Sequence, residues 1–403
     1  MKNTNLIVIG GGLIGLSTAY QYLQKHPDHR IILLEKEPTV GLHQSGRNSG
    51  VLHSGIYYTP GTHKASMSLA GKAEMERFLE EEELPYEICG KVIVAKHAEE
   101  LPALNKILAN GQANGVACEM IGRERLLEIE PHVNGIQAIY VPQSGIADYP
   151  AVSRRLAEKI EAQGSQVCTG IEVIDIEERG SEVVVLTTQG EYVADRAVSC
   201  AGLFSDRVAS MTAPDKIRAQ IVPFRGEYYQ LKPQATHLCN GLIYPVPDPR
   251  FPFLGVHFTK MIEGGVDCGP NAVLALAREG YDWGTINWVD FWEAVSYAGF
   301  RKLAFKYWRF GLNEMWRSVS KPAFVRALQG LIPAITADDL EPHPAGVRAQ
   351  ALLPNGEMIY DFDFVSSKRV LHVVNAPSPA ATVSLQIGRH VVEKLTLETP
   401  LSG

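Results

Sequence analysis

The stretch from Asn5 to Glu35 constrains this chain more than any other. A short apolar run, Leu6-Ile7-Val8-Ile9, breaks into Gly10-Gly11-Gly12-Leu13-Ile14-Gly15 and then into a helical pattern; a second apolar run, Ile31 to Leu34, ends on Glu35. Strand, G-x-G-x-x-G, helix, strand and terminal acid in that order are the sequence form of a dinucleotide-binding βαβ unit. Gly10 allows the tight turn, Gly12 leaves room for a pyrophosphate, and Gly15 lets the helix pack closely on the strand. The first helical turn, with Leu13 and Ile14, turns unpaired N–H groups and a partial positive charge toward the phosphates. Glu35 is placed to accept hydrogen bonds from a ribose diol.

The chain is long for one core at 403 residues, so two domains are expected. With 45% apolar and 21% charged residues it reads as an ordinary globular protein, and its net charge of −7 argues against a nucleic-acid surface spread over the whole molecule. Cys89, Cys118, Cys168, Cys200, Cys239 and Cys268 form no Cys-x-x-Cys, which points to reduced thiols and no zinc or other metal site. Too few residues precede the first strand for a signal or transit peptide, and no run is long enough to span a bilayer. The expected location is cytoplasmic, either soluble or peripheral on the cytoplasmic face of the inner membrane.

Residues 42 to 58, which include Ser45, Arg47, Asn48, Ser49, Gly50, Val51 and His53, are dense in glycine and small polar residues without a helical or strand period. They read as a loop held against a ligand, with backbone N–H groups for phosphate and flavin and Arg47 to neutralise an anion. A helix is predicted over 62–83. Short strands and helices then alternate to Tyr140, followed by a helix over 151–163 and strands over 167–176 and 182–187. The run 192–202 ends at Ala201-Gly202, with Ser205-Asp206 opening a helix: the strand-glycine-helix logic of the N-terminus repeats. From Pro223 to Phe258 the chain is strand-rich, with Tyr228, Tyr244 and His257 on predicted antiparallel strands that suit the floor of a polar substrate site. A third junction of small residues, Ala376 to Thr382 with Pro379 and Ala380, lies between the strand 370–375 and the last helix, 383–395.

Residues 283–326 differ from the rest. All five tryptophans fall here; Phe300, Ala304, Trp308, Leu312 and Trp316 follow an i, i+4 stripe beside Lys302, Lys306 and Arg309. An aromatic stripe next to a basic one suits a helix lying in a membrane interface. Internal packing and an oligomer interface fit the same pattern, and the residues alone leave all three open.

Three separated junctions of one kind, interrupted by strand-rich inserts, do not suit a contiguous NAD domain. The whole chain resembles the two-domain flavoprotein oxidoreductases of the D-amino-acid oxidase and glycerol-3-phosphate dehydrogenase type, through GGGLIG with Glu35, Ala201-Gly202 and Gly346-Val347-Arg348. SGRNSGVLHSGIYYTPGTHKA (45–65), LIYPVPDPRFPFLGVHF (242–258) and VDCGPNAVLAL (266–276) are similar to the L-2-hydroxyglutarate dehydrogenase/oxidase branch of that family. The resemblance implies an α/β fold: a Rossmann-like FAD-binding domain from 1–85, 145–215 and 340–403, and a substrate domain on a mixed or antiparallel sheet from 86–144 and 216–339. It also implies non-covalent FAD, with Lys36 and Val173 added to the cofactor contacts above. The implied reaction is oxidation of L-2-hydroxyglutarate to 2-oxoglutarate, with a membrane quinone or oxygen as acceptor. An amine oxidase of the sarcosine or glycine oxidase kind, or a flavin-containing binding protein, is the alternative.

Such a reaction needs a base titrating near neutrality, which suggests histidine. His53 is the first choice, because the presumed flavin-contacting loop carries it, and His257 is its competitor. The two substrate carboxylates need cations or donors, for which Lys64, Arg225 and Arg348, with Tyr228 and Tyr244, are the candidates.

Overall fold

The computed structural model describes residues 4–248 and 255–397. The start of the predicted strand at Phe253-Leu254, within the 242–258 motif, lies outside the described residues.

Thr4–Ile9 forms the centre of a sheet, paired in parallel with Ile31–Leu34 on one side and Gly190–Ser199 on the other, with Leu6 opposite both Ile31 and Arg196. Gln166–Cys168 extends the first side. Val370–Asn375 extends the second in parallel, and the hairpin Val173–Arg179/Glu182–Thr187 adds two antiparallel strands. The central strand is buried on both faces, which explains its unbroken apolar run: Leu6 and Val8 pack under the helices, Ile7 and Ile9 toward the hairpin. Helices Leu13–Lys25, Tyr149–Ala162 and Ser384–Leu397 cover one face, so the first and last described helices pack side by side.

A second sheet is built around Gln220–Leu231. It pairs along its length with Leu340–Leu352, and beyond Val266–Gly269 come His257–Lys260, Leu242–Pro245, Lys91–Ala95, Gln137–Val141 and Glu119–Gly122. The expectation that the chain rejoins the nucleotide sheet at residue 340 is therefore corrected: Leu340–Leu352 is bonded into the second sheet, and the return comes at Asp363–Ser366. A small third sheet, Val51–Leu52, Gly145–Ala147 and Tyr86–Glu87, lies where the chain passes between the two.

The segment with the tryptophans forms helices Trp288–Ser296, Ala298–Lys306 and Trp308–Val319, followed by Lys321–Gln329. The i, i+4 stripe does not make one face. The helix stops at Tyr307 and restarts, so Phe300 turns inward against Phe224 whereas Trp308, Leu312 and Trp316 face outward. Among the described residues no helix is long and apolar enough to cross a membrane.

Candidate active site

The nucleotide end of the site follows from close packing. A Cβ on Gly15 would lie 1.9 Å from the Gly10 carbonyl oxygen, and Gly10 itself has φ 104°. Only glycine at both positions brings the first helix this near its strand. Helix geometry leaves the N–H groups of Gly12, Leu13, Ile14 and Gly15 without intrahelical acceptors. Ser45 Oγ accepts that of Leu13 at 2.9 Å, which seats the 42–58 loop on the helix N-terminus. Glu35, at the end of the second strand, accepts the Gly11 N–H at 2.6 Å and the Glu37 N–H at 2.9 Å, one on each oxygen. Each oxygen keeps a second lone pair for a ribose hydroxyl. Cys200 N–H donates to Ile9 carbonyl, so the Ala201-Gly202 junction lies beside the first glycine. A dinucleotide with a pyrophosphate fits this donor set.

Asn48 braces its own loop, donating to the Gln44 and Ser45 carbonyls and accepting from Gly50 N–H. Arg47 stacks on Tyr281, 4.1 Å from the ring centre. Its carbonyl sits so close to Gly346 that a Cβ there would approach to 2.3 Å, clamping the loop to the second sheet. Lys36 is taken up by Glu279 and Glu37 and lies over Phe204. Val173 begins its hairpin, close to Ile171, whose N–H bonds the Glu35 carbonyl. Asp206 is not aimed at a phosphate: it accepts the Ile221 N–H and pairs with buried Arg278.

A second group of candidate residues is gathered from distant segments of the chain. The Val51 carbonyl accepts the Tyr149 hydroxyl, and the Thr382 hydroxyl lies within 3.1 Å of that same carbonyl. The His53 N–H donates to Thr382 Oγ1 at 3.1 Å, and the His53 ring Nε2 lies 3.3 Å from Ser378 Oγ. His53 thus sits against the Ser378–Thr382 junction, which includes Pro379 and Ala380. Part of its surface stays open although protein surrounds it. Burial, then Lys91, His257 and Lys64, hold it down to about 3. His257 is likewise lowered to about 3, chiefly by burial; its Nδ1–H donates to the Gly255 carbonyl at 2.9 Å, leaving Nε2 as the acceptor. Its ring packs on Tyr244, 4.0 Å between centres, and the Tyr244 hydroxyl bonds Thr259 and Ser49.

Lys91 was not among the sequence candidates, yet it is the most informative group here. It is 3% exposed, lies 3.8 Å from the Tyr244 ring centre and 4.6 Å from that of Tyr57, and has no carboxylate partner among the described residues. Burial alone lowers its ammonium to about 7. The Tyr57 hydroxyl beside it is buried without a hydrogen-bond partner. An unpaired buried cation next to an orphaned hydroxyl is costly unless a ligand completes them. Lys64 is lowered to about 8 by burial, against the pull of Asp361, and Arg348 bonds Tyr228 and acts electrostatically on His257. Arg225 does not join this group. It is fully buried, its guanidinium held by Glu227 at 2.8 and 3.1 Å, by the Asp282 carbonyl at 2.7 Å and by the Trp283 ring.

Residues 5–394 match the family described as FAD dependent oxidoreductase. The chain belongs to the FAD-dependent oxidoreductases. Its cofactor is accordingly FAD. Among curated relatives, this oxidoreductase is 47% identical to L-2-hydroxyglutarate dehydrogenase of Indibacter alkaliphilus, over 96% of this chain and 98% of the relative. It is 43% identical to the protein of the same name from Escherichia coli K12, over 97% and 93%. Two solved structures share the fold. L-alpha-glycerophosphate oxidase from Mycoplasma pneumoniae with FAD bound has a TM-score of 0.78 at 21% identity, covering 98% of this chain and 95% of that one. Glycine oxidase from Geobacillus kaustophilus has a TM-score of 0.75 at 16%, covering 100% and 96%.

Proposed function

We propose that this oxidoreductase converts L-2-hydroxyglutarate to 2-oxoglutarate with non-covalently bound FAD and passes the electrons to a membrane quinone or to oxygen. The observation that carries the reading is Lys91, buried without an anionic partner among the described residues. Together with Lys64 and Arg348 it gives the site a positive character that a dicarboxylate matches. A substrate whose own reacting group is a cationic amine meets repulsion there, so the hydroxy acid is favoured over a sarcosine or glycine. The two curated relatives carry the name of this activity.

FAD, when bound, supplies the acceptor for the hydride leaving the substrate α-carbon. A ring nitrogen of His53 takes the hydroxyl proton as the C–H bond breaks and the carbonyl forms. Lys91, Lys64 and Arg348 fix the two carboxylates, while Tyr228 orients Arg348 and Tyr244 backs His257 and Lys91. His53 is kept neutral by burial and by two cations; a bound dianion offsets the cations, so the base strengthens when substrate arrives. A second assignment has its own support, because the Gly255 carbonyl fixes the His257 tautomer with a free Nε2. The exposed aromatic and basic surface of residues 283–326 provides the contact with the membrane.

Anaerobic addition of L-2-hydroxyglutarate should bleach the flavin absorbance, and glycine or sarcosine should not; an amine that bleaches it faster would overturn the substrate. His53→Asn should lower kcat on the order of 10²–10⁴-fold with FAD retained. His257→Asn should act mainly on KM, and the reverse ranking moves the base to His257.

A further inference from the structure

The short run 278–282, between strand Val273–Leu274 and helix Trp288–Ser296, is bolted down at both ends by buried arginines. At its start Arg278, 2% exposed, donates to the Leu203 carbonyl at 2.6 Å and pairs with Asp206. At its end the Asp282 carbonyl accepts from fully buried Arg225 at 2.7 Å. Neither arginine has a part in the chemistry above, and together they hold this run in one place.

The two long side chains between the bolts reach out to the nucleotide end. Glu279 pairs with Lys36 and lies 3.0 Å from His43 Nε2. The Tyr281 hydroxyl bonds His43 Nδ1, and its ring takes the Arg47 guanidinium at 4.1 Å. Glu37 completes the set, 3.3 Å from Lys36 Nζ and 2.9 Å from His43 Nε2. Lys36 and Glu37 directly follow Glu35, whereas His43 and Arg47 belong to the 42–58 loop. Both segments are bonded to the glycine turn, Glu35 through Gly11 and the loop through Ser45 and Leu13. Glu279 and Tyr281 therefore strap together the two segments that meet at that turn. None of the strap's contacts draws on the Glu35 oxygens or the helix N–H groups, so it closes without taking up the groups left for FAD.

Lys36, Glu37, His43 and Glu279 keep 26–29% of their side chains exposed. Ion pairs this open are weak, are screened by salt, and part and re-form, whereas burial fixes the bolts on either side. We infer that Glu279 and Tyr281 are cofactor-retaining residues: the strap they close on Lys36, His43 and Arg47 opens for FAD to enter or leave. The inference concerns FAD alone and holds whichever substrate the flavin oxidises.

The test follows FAD rather than turnover. Release from diluted holoenzyme is read as the gain in flavin fluorescence, and uptake by the full chain stripped of FAD as its loss. Glu279→Gln should speed both by about ten-fold, as two part-exposed pairs are lost together, and so leave the Kd for FAD within a few-fold. Tyr281→Phe, which keeps the ring on Arg47 and removes only the bond to His43, should speed both by about three-fold; it gives the same reading should Glu279→Gln fail to fold. High salt should quicken release from the parent more than from Glu279→Gln, because the variant lacks the pairs that salt screens. Faster release with uptake unchanged makes these side chains direct contacts of bound FAD and overturns the strap. Release at the parent rate in both variants, or an equal salt response in parent and Glu279→Gln, overturns it as well.

Discussion

Replacing Lys91 with methionine separates what the site costs the fold from what it gives the reaction. Methionine keeps the length of the stem and its contact with the Tyr57 and Tyr244 rings but removes the charge. In the native chain burial lowers the ammonium from 10.5 to about 7, which by linkage amounts to roughly 5 kcal/mol of unfavourable charging. The sign follows from linkage. Between pH 7 and 10.5 the unfolded chain holds this proton and the folded chain does not, so this group makes stability rise with pH across that window and brings it lowest at pH 7 and below. The substrate-free K91M holoenzyme should therefore be more stable than the parent at pH 7, by roughly 1–3 kcal/mol once imperfect packing is deducted. The gap should close toward pH 10.5. Its KM for L-2-hydroxyglutarate should rise ~100-fold, in line with ~3 kcal/mol for a buried charged contact left unmade. Urea unfolding at the two pH values and steady-state kinetics at pH 7.5 measure both. A variant that is less stable than the parent at pH 7, with KM unchanged, would refute the assignment of Lys91 as a cation held ready for an anion.

Arg225→Met should cost about 3 kcal/mol in the urea midpoint, because Glu227 loses a buried partner, yet leave KM within a few-fold; a KM effect at intact stability would return Arg225 to the substrate site. Acid should weaken the fold through His257 and His372, 6% and 1% exposed, whose folded values lie near 3 and 4. Below about pH 6.5 the unfolded chain takes up protons that the folded one refuses, so stability falls with decreasing pH down to about 4, by about 1.4 kcal/mol per pH unit for each group. His372→Gln should reduce that slope by one group's share, read from unfolding at stepped pH, and an unchanged slope would contradict the burial argument.

The nucleotide end was legible in the sequence because its determinants are local: Gly10, Gly15 and Glu35 act within one βαβ unit, and the periodicity around them is strong. His53 could be singled out by the composition of its loop. Lys91 could not, because a lysine opening Lys91-Val92-Ile93-Val94-Ala95 usually points to water. Its burial comes from Tyr57 and Tyr244, which arrive from other segments, and no local pattern signals that. Arg225 is the converse case: its residue type suited a carboxylate, but Glu227, two positions along the same strand, satisfies it. The stripe from Phe300 to Trp316 misled for a geometric reason, since spacing counts residues and takes no account of a helix that stops at Tyr307. Leu340–Leu352 looked like the way back to the nucleotide sheet because Gly346-Val347-Arg348 precedes the last strand and helix. Its pairing with Gln220–Leu231 is a long-range contact that neither strand announces.

The hydroxyl of Thr382 bears on how the protein comes into being. That one oxygen accepts the His53 N–H, shares a hydrogen bond with the Tyr149 hydroxyl and lies against the Val51 carbonyl, so the backbone at His53 is secured by a residue more than three hundred positions further along the chain. Contacts so far apart in sequence form late, and a ribosome delivers residue 382 long after residues 51 to 53. A nascent chain that has not reached residue 382 can display the glycine loop, and even bury much of the second sheet, while the backbone at His53 is still unsecured.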